Sequence, residues 1–149
     1  MKTLIIYASI HHGNTEKVGK AMAECLSADL KKANEVNTNI LNDYDLIGFG
    51  SGIYGGKFHN NILEMFNKLP NLPNKKAFIF STSGQGKTEY NNPIEQKLKE
   101  KGLKIVGSFG CKGFDTFGPL KLFGGIGKGR PNEEDLQKAK AFAENLIEK

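Results

Sequence analysis

Short apolar runs of strand length alternate with helix-period segments along this chain, and that alternation narrows the fold more than any other feature. Residues 3–8 (Thr-Leu-Ile-Ile-Tyr-Ala), 44–50 (Tyr-Asp-Leu-Ile-Gly-Phe-Gly), 76–81 (Lys-Ala-Phe-Ile-Phe-Ser) and 103–111 are runs of the first kind, and residues 29–32 form a weaker one. Between them, Val18, Ala21, Met22, Cys25 and Leu26 recur at the spacing of one helix face, with Lys17, Lys20 and Glu24 on the other. Phe58, Ile62, Met65, Phe66 and Leu69 repeat that spacing until Pro70 and Pro73 stop it. A short helix is predicted over 93–101, with Pro93 in its first turn and Gly102 at its end. Asn37 or Thr38 is expected to cap a single turn over 37–42, and Asn132 a final helix whose stripe is Leu136, Ala139, Phe142, Ala143, Leu146 and Ile147. A β-α unit repeated about five times demands right-handed crossovers. The expected class is therefore α/β: a parallel sheet with helices on both faces.

The chain has 149 residues, the size of one ordinary domain, and a single domain over 1–149 is expected. With 38% hydrophobic and 25% charged residues it can fill a core, which excludes wholesale disorder. The 18 glycines follow no triplet period, which excludes a collagen-like chain and moves attention to where they cluster. No apolar run approaches a membrane span, no signal peptide is read, and Cys25 and Cys111 have neither disulfide-framework nor metal-ligand spacing. A reducing cytoplasm is the expected compartment. Residues 1–75 carry 8 basic and 7 acidic side chains and residues 76–149 carry 13 and 9, for a net charge of +5. No basic run interleaves with aromatics, so nucleic-acid binding is not expected.

In an open parallel sheet, the loops after the strands gather at the carboxyl edge, where ligands bind. Three such loops carry polar residues and glycine. The first, 9–15, joins a buried strand to a helix N-terminus, where backbone N–H groups and the dipole favour an anion. Ser9, Gly13, Asn14 and Thr15 supply donors and close backbone approach without any Lys or Arg. It is neither a Walker A loop nor a Gly-x-Gly-x-x-Gly loop, so a monophosphate is the natural guest. An ordinary helix-capping turn is the competing reading. His11 and His12 fit a hydrogen-bonding role better than a metal or acid–base role. In the second loop, Ser51, Gly52, Ile53, Tyr54, Gly55 and Gly56, the aromatic between glycines can stack on a flat ring or simply pack over the next helix. The third, Thr82, Ser83, Gly84 and Gln85, offers donors for a ring edge, with Tyr90 placed to cover the other face.

These loops, in this order on this frame, resemble the flavodoxin family over essentially the whole chain. Ser9…Gly13–Asn14–Thr15 looks like that family's phosphate loop, and 44–48 leading to Gly50–Ser51–Gly52–Ile53–Tyr54 is similar to its third strand and first flavin loop. The resemblance implies a three-layer sandwich, a five-stranded sheet in the order 2-1-3-4-5, and non-covalently bound FMN. Residues 9–15 would then hold the phosphate, residues 51–56 would lie along the isoalloxazine, and residues 82–85 would meet the ring edge and ribityl side. The chain departs from the family's pattern by one extra loop residue with His in place of Ser or Thr. It also has Lys57 after the glycines, where an acidic residue is usual, and an overall basic charge. A lysine beside the flavin favours the anionic reduced state, so the second reduction potential is expected to be less negative than in acidic flavodoxins. The Gly-, Phe- and Lys-rich segment 112–131 looks like an extended loop of a family subgroup. Phe114 or Phe117 could cover the flavin, and Lys121, Lys128 and Arg130 could dock an acidic redox protein; a plain structural flap fits as well.

The resemblance thus implies an electron carrier with no catalytic residues of its own and no metal. It would exchange electrons with redox proteins such as a ferredoxin or a flavodoxin reductase, as a monomer. The alternative is an NAD(P)H- or quinone-linked FMN oxidoreductase on the same frame, for which no nicotinamide fingerprint is visible. A response-regulator-like domain lacks its acidic strand ends here, which carry Ser9 and Ser51. Cys111 is expected to be a small buried apolar residue rather than a redox thiol.

Overall fold

The computed structural model describes residues 1–9, 13–114, 125 and 127–147. In chain order they form β1 (Thr3–Ala8), α1 (Asn14–Leu26), β2 (Asp29–Lys32), 3-10 turns at Ala33–Glu35 and Thr38–Asp43, β3 (Leu46–Tyr54), β4 (Lys57–Phe58) and α2 (Asn60–Asn67). There follow β5 (Lys76–Ser83), a 3-10 turn at Thr88–Asn91, α3 (Asn92–Glu100), β6 (Lys104–Lys112) and α4 (Glu133–Ile147). The parallel strands lie in the order β2-β1-β3-β5-β6, and β4 is added antiparallel to β3. With that hairpin strand set aside, the order is the expected 2-1-3-4-5.

Each central strand is buried along almost its whole length, because helices cover both faces. Leu4, Ile6, Ile47, Phe49, Ala77 and Ile79 point into a core shared with Ile62, Phe66, Ile94 and Leu98 of α2 and α3. Ile5, Tyr7, Phe78 and Phe80 point into a second core with Val18, Met22, Ala139 and Ala143 of α1 and α4. On that second face, the rings of Phe78 and Phe80 lie across their register partners Gly48 and Gly50 on β3. A Cβ at Gly50 would stand 2.1 Å from Cζ of Phe80, and one at Gly48 would stand 2.3 Å from Cζ of Phe78. The glycines in this otherwise apolar strand are therefore where the neighbouring strand places its largest side chains.

Two expectations need correction. β3 does not stop at Gly50; it runs to Tyr54, turns through Gly55–Gly56, and returns as β4 with Tyr54 opposite Lys57 and Ile53 opposite Phe58. Both turn residues have positive φ (59° and 81°), the backbone of a two-residue hairpin turn that glycine adopts without strain. The second helix accordingly begins at Asn60 rather than near Phe58, which belongs to the hairpin. His59 caps it, its Nδ1 accepting from the Asn61 N–H at 3.0 Å. Asn37 caps the turn at Thr38–Asp43 as expected, accepting from the Asn39 N–H at 2.9 Å.

Candidate functional site

The strand register brings the predicted segments to one edge. Ala8 at the end of β1 lies beside Ser51, Gly52 lies beside Thr82, and Ser83 lies beside Lys112. The first and third segments touch directly: the hydroxyls of Thr15 and Thr82 are 2.8 Å apart, and both residues are buried. β1 ends at Ala8 and α1 begins at Asn14, with Gly13 as the N-cap of α1 in the left-handed conformation (φ 64°) and no side-chain cap hydrogen bond. Among the described residues, a Cβ at Gly13 would meet nothing within 4 Å. Ser9 Oγ accepts from the Glu16 N–H at 3.3 Å. The first-turn N–H groups of a helix lack intrahelical partners; the Glu16 N–H is taken by Ser9, which leaves the Asn14 and Thr15 N–H groups, without a partner among the described residues, at the positive pole of α1. His11 and His12 lie outside the described residues.

Asn14 does something its position in the loop did not suggest. Its Nδ2 donates to the carbonyl of Phe114 at 2.8 Å, which ties the start of α1 to the segment after β6. Its Oδ1 is buried and has no partner among the described residues. The same segment is held to β5 by the Gly113 N–H donating to the Ser83 carbonyl at 2.9 Å. Further on, Arg130 binds Asp135 through Nε to Oδ2 at 2.5 Å and Nη2 to Oδ1 at 2.6 Å, and the Phe114 N–H donates to the Arg130 carbonyl. Asp135 and Asn132 also exchange hydrogen bonds at the start of α4, each side chain accepting from the other's N–H. The Arg130 guanidinium and the Asn132 N–H hold the Asp135 carboxyl below the usual carboxylate range against the opposing effect of burial. Phe117, offered with Phe114 as an alternative cover for a flavin, and Lys121 lie outside the described residues.

In the second segment, Ser51 is fully buried; its hydroxyl donates to the Gly52 carbonyl at 2.6 Å and accepts from the His59 N–H at 2.9 Å. Ser51 thus fixes the hairpin to the start of α2. Tyr54 folds back over Gly52, where a Cβ would come within 2.6 Å of its hydroxyl, and its ring meets His59 edge-on at 5.3 Å. Ile53 is buried in the α2 core, while Gly55 and Gly56 form the exposed tip. In the third segment, Thr82 and Ser83 still belong to β5, and Ser83 Oγ accepts from the Gly86 N–H at 2.7 Å to shape the turn containing Gly84 and Gln85. Tyr90 donates to Gln85 Oε1 at 3.3 Å. Sequence reasoning missed His59 as cap and ring partner, although a polar His-Asn-Asn triplet before an apolar run carries that signal.

Burial pushes the Cys111 thiol up to about 12, and the nearby Asp135 charge adds to this. A thiol so reluctant to ionise is a packing group rather than a nucleophile. Among the described residues no cluster could hold a metal ion, and no helix is long and apolar enough to cross a membrane.

The arrangement defines a doubly wound α/β protein whose polar, glycine-bearing segments meet at the carboxyl edge of the sheet. Residues 4–115 match the flavodoxin domain family, and the chain belongs to the flavodoxin family. It is 50% identical over 149 residues to an uncharacterized protein of Methanocaldococcus jannaschii, covering 99% of each. Its backbone is similar to that of oxidised flavodoxin 2 from Bacillus cereus, with a TM-score of 0.76, 25% identity and 99% of each chain covered. The fold is likewise similar to that of the flavodoxin of Streptococcus pneumoniae TIGR4, with a TM-score of 0.75, 17% identity and 99% of each chain covered.

Proposed function

We propose that this protein is an FMN-binding electron carrier that exchanges electrons with other redox proteins in the cytoplasm. The observation that carries the reading is the start of α1: Gly13 in the left-handed conformation, no described residue within 4 Å of where its Cβ would stand, and the buried Thr15–Thr82 hydroxyl pair beside it. This donor set fits the phosphate of FMN, since it offers N–H and O–H groups, and the one first-turn carboxylate, Glu16, is paired with Lys20 at 3.2 Å. Ser9, Gly13 and Thr15 would hold the phosphate, with Asn14 bracing the loop through Phe114. The Tyr54–Lys57 hairpin and the Thr82–Gln85 turn would flank the ring. His11 and His12, outside the described residues, would add further donors.

Bound FMN would supply the redox chemistry. The chain's own residues bind and orient. Ser51 and His59 hold the base of the hairpin to α2, so that Gly55 and Gly56 present their backbone groups from a fixed base. The Thr15–Thr82 contact keeps the first and third segments at a fixed spacing. Membership of the flavodoxin family and the whole-chain likeness to flavodoxin 2 of Bacillus cereus support the carrier role.

The test is a calorimetric titration of the cofactor-stripped protein with FMN and, separately, with riboflavin. The expected outcome is one FMN per chain, with riboflavin at least tenfold weaker because it lacks the phosphate that the start of α1 takes. A chain that binds neither overturns the reading. Equal affinity for both overturns the phosphate assignment.

A further inference from the structure

We propose that Lys57, Lys87, Lys112 and Lys128 form a cationic rim around the carboxyl edge of the sheet, and that it docks a redox protein with an acidic surface. The inference rests on the electron-carrier reading and names the chemistry of the partner.

All four lysines are exposed, and the backbone interlocks three of them. Lys112 is the register partner of Ser83, and a Cβ at Gly86 would stand 3.0 Å from both N and Cγ of Lys112, so Lys87 follows a residue in contact with Lys112. A Cβ at Gly127 would stand 2.6 Å from the Gly113 carbonyl oxygen and 3.6 Å from that of Gly84, so Lys128 begins beside the same turn. Lys57 stands opposite Tyr54 at the hairpin, on β3, which pairs with β5 through Gly52 and Thr82. The four charges are thus mounted on turns and strand ends that are fixed to one another.

Among the described residues, the charges of this rim have no ion-pair partner. The ion pairs among the described residues are Lys20–Glu16, Lys99–Glu95, Arg130–Asp135, Lys138–Glu134 and Lys140–Glu24, and none uses a rim lysine. Arg130, which the sequence offered for docking, is committed to Asp135 and drops out of the surface. Of the described carboxylates near the rim, Glu16 is matched by Lys20, which leaves the exposed Glu89 against four ammonium groups; Asp115 lies outside the described residues. Clustered like charges repel one another, and that repulsion is relieved when an oppositely charged surface covers them. Such a surface speeds encounter and sets orientation, with a strong dependence on salt. An electron carrier benefits from both, because a partner drawn to this rim arrives at the edge where the cofactor would sit.

The test uses the full chain loaded with FMN, the triple variant K87E/K112E/K128E, and calorimetry. The probes are a strongly acidic two-iron ferredoxin, basic cytochrome c as the opposite charge, and a short DNA duplex as a polyanion that is not a protein. The expected result is ferredoxin binding that weakens at least tenfold in the variant and at least tenfold between about 20 and 200 mM salt, with cytochrome c and DNA both binding less tightly. Undetectable ferredoxin binding, an unchanged Kd in the variant, or tighter binding of cytochrome c or DNA overturns the proposal. FMN titrations of both proteins are expected to agree within twofold; loss of FMN affinity in the variant assigns the lysines to the cofactor and also overturns the proposal. If the chain takes no FMN, the carrier reading falls, while ferredoxin binding to the unloaded chain still reads the rim.

Discussion

Thr15 on α1 and Thr82 on β5 are 67 residues apart in sequence, yet their hydroxyl oxygens are 2.8 Å apart in the buried floor of the candidate site. The contact spans β1-α1 and β5, so it fixes the distance between the segment proposed to hold a phosphate and the segment proposed to meet a ring edge. Removing one hydroxyl leaves the other buried without its partner. Thr15→Val and Thr82→Val are each expected to cost about 1–3 kcal/mol, and the double variant less than the sum. Urea unfolding of the four proteins checks this; strict additivity would show that the pair is not coupled.

Gly50 is expected to be a site where adding one methyl group unfolds more than it fills. Its Cβ would stand 2.1 Å from a buried Phe80 ring held between β3 and α1. Gly50→Ala is expected to destabilise the chain by about 1–3 kcal/mol, and adding Phe80→Leu is expected to return part of that loss. A denaturation midpoint for the double variant no higher than that of Gly50→Ala would contradict the steric account.

The Arg130–Asp135 pair sets a pH dependence whose sign follows from linkage. Arg130 lowers the Asp135 carboxyl in the folded state, so the unfolded chain takes up that proton first as the pH falls. The stability it confers is complete above the ordinary carboxylate value, about 4, and disappears as the pH drops through the lowered native value. The urea midpoint of the wild type is therefore expected to fall between pH 6 and pH 3. Asp135→Asn is expected to show a smaller fall, with a lower midpoint at pH 6. An identical fall in both proteins would show that other carboxylates carry the effect.

Lys57 is expected to make the protein's flavin easier to reduce. Its ammonium sits at the hairpin proposed to lie along the ring, in solvent, so its influence is screened. With FMN bound, Lys57→Glu is expected to move the second reduction potential to more negative values by some tens of millivolts. Potentiometric titration reads the shift directly. No shift, or one of opposite sign, would remove Lys57 from the tuning of the cofactor.

The frame was legible because it depends on periodicity: runs such as 3–8 and 76–81 match β1 and β5 closely, and the stripe of α1 is the one that packs. The site was legible at the level of segments, since strand ends in a parallel sheet must share an edge. Side-chain roles were not. Ser51 reads as a donor in a loop, but the Gly55–Gly56 turn, a local hairpin signal that the loop reading passed over, pairs Ile53 with Phe58 and brings the His59 N–H onto the buried Ser51 hydroxyl. Asn14 reads as a phosphate donor, but its amide is taken by Phe114, 100 residues away. Arg130 reads as surface charge until the fold brings it to Asp135.

The hairpin at Gly55–Gly56 also changes how this edge can move. A slack loop would reach many positions, whereas this ribbon is pinned at its base by Ser51 and His59 and has one small joint at its tip. Adjustment to a guest is thereby concentrated in a single peptide link, so a few torsions near Gly55, rather than a lid closing, would accommodate changes in whatever rests there.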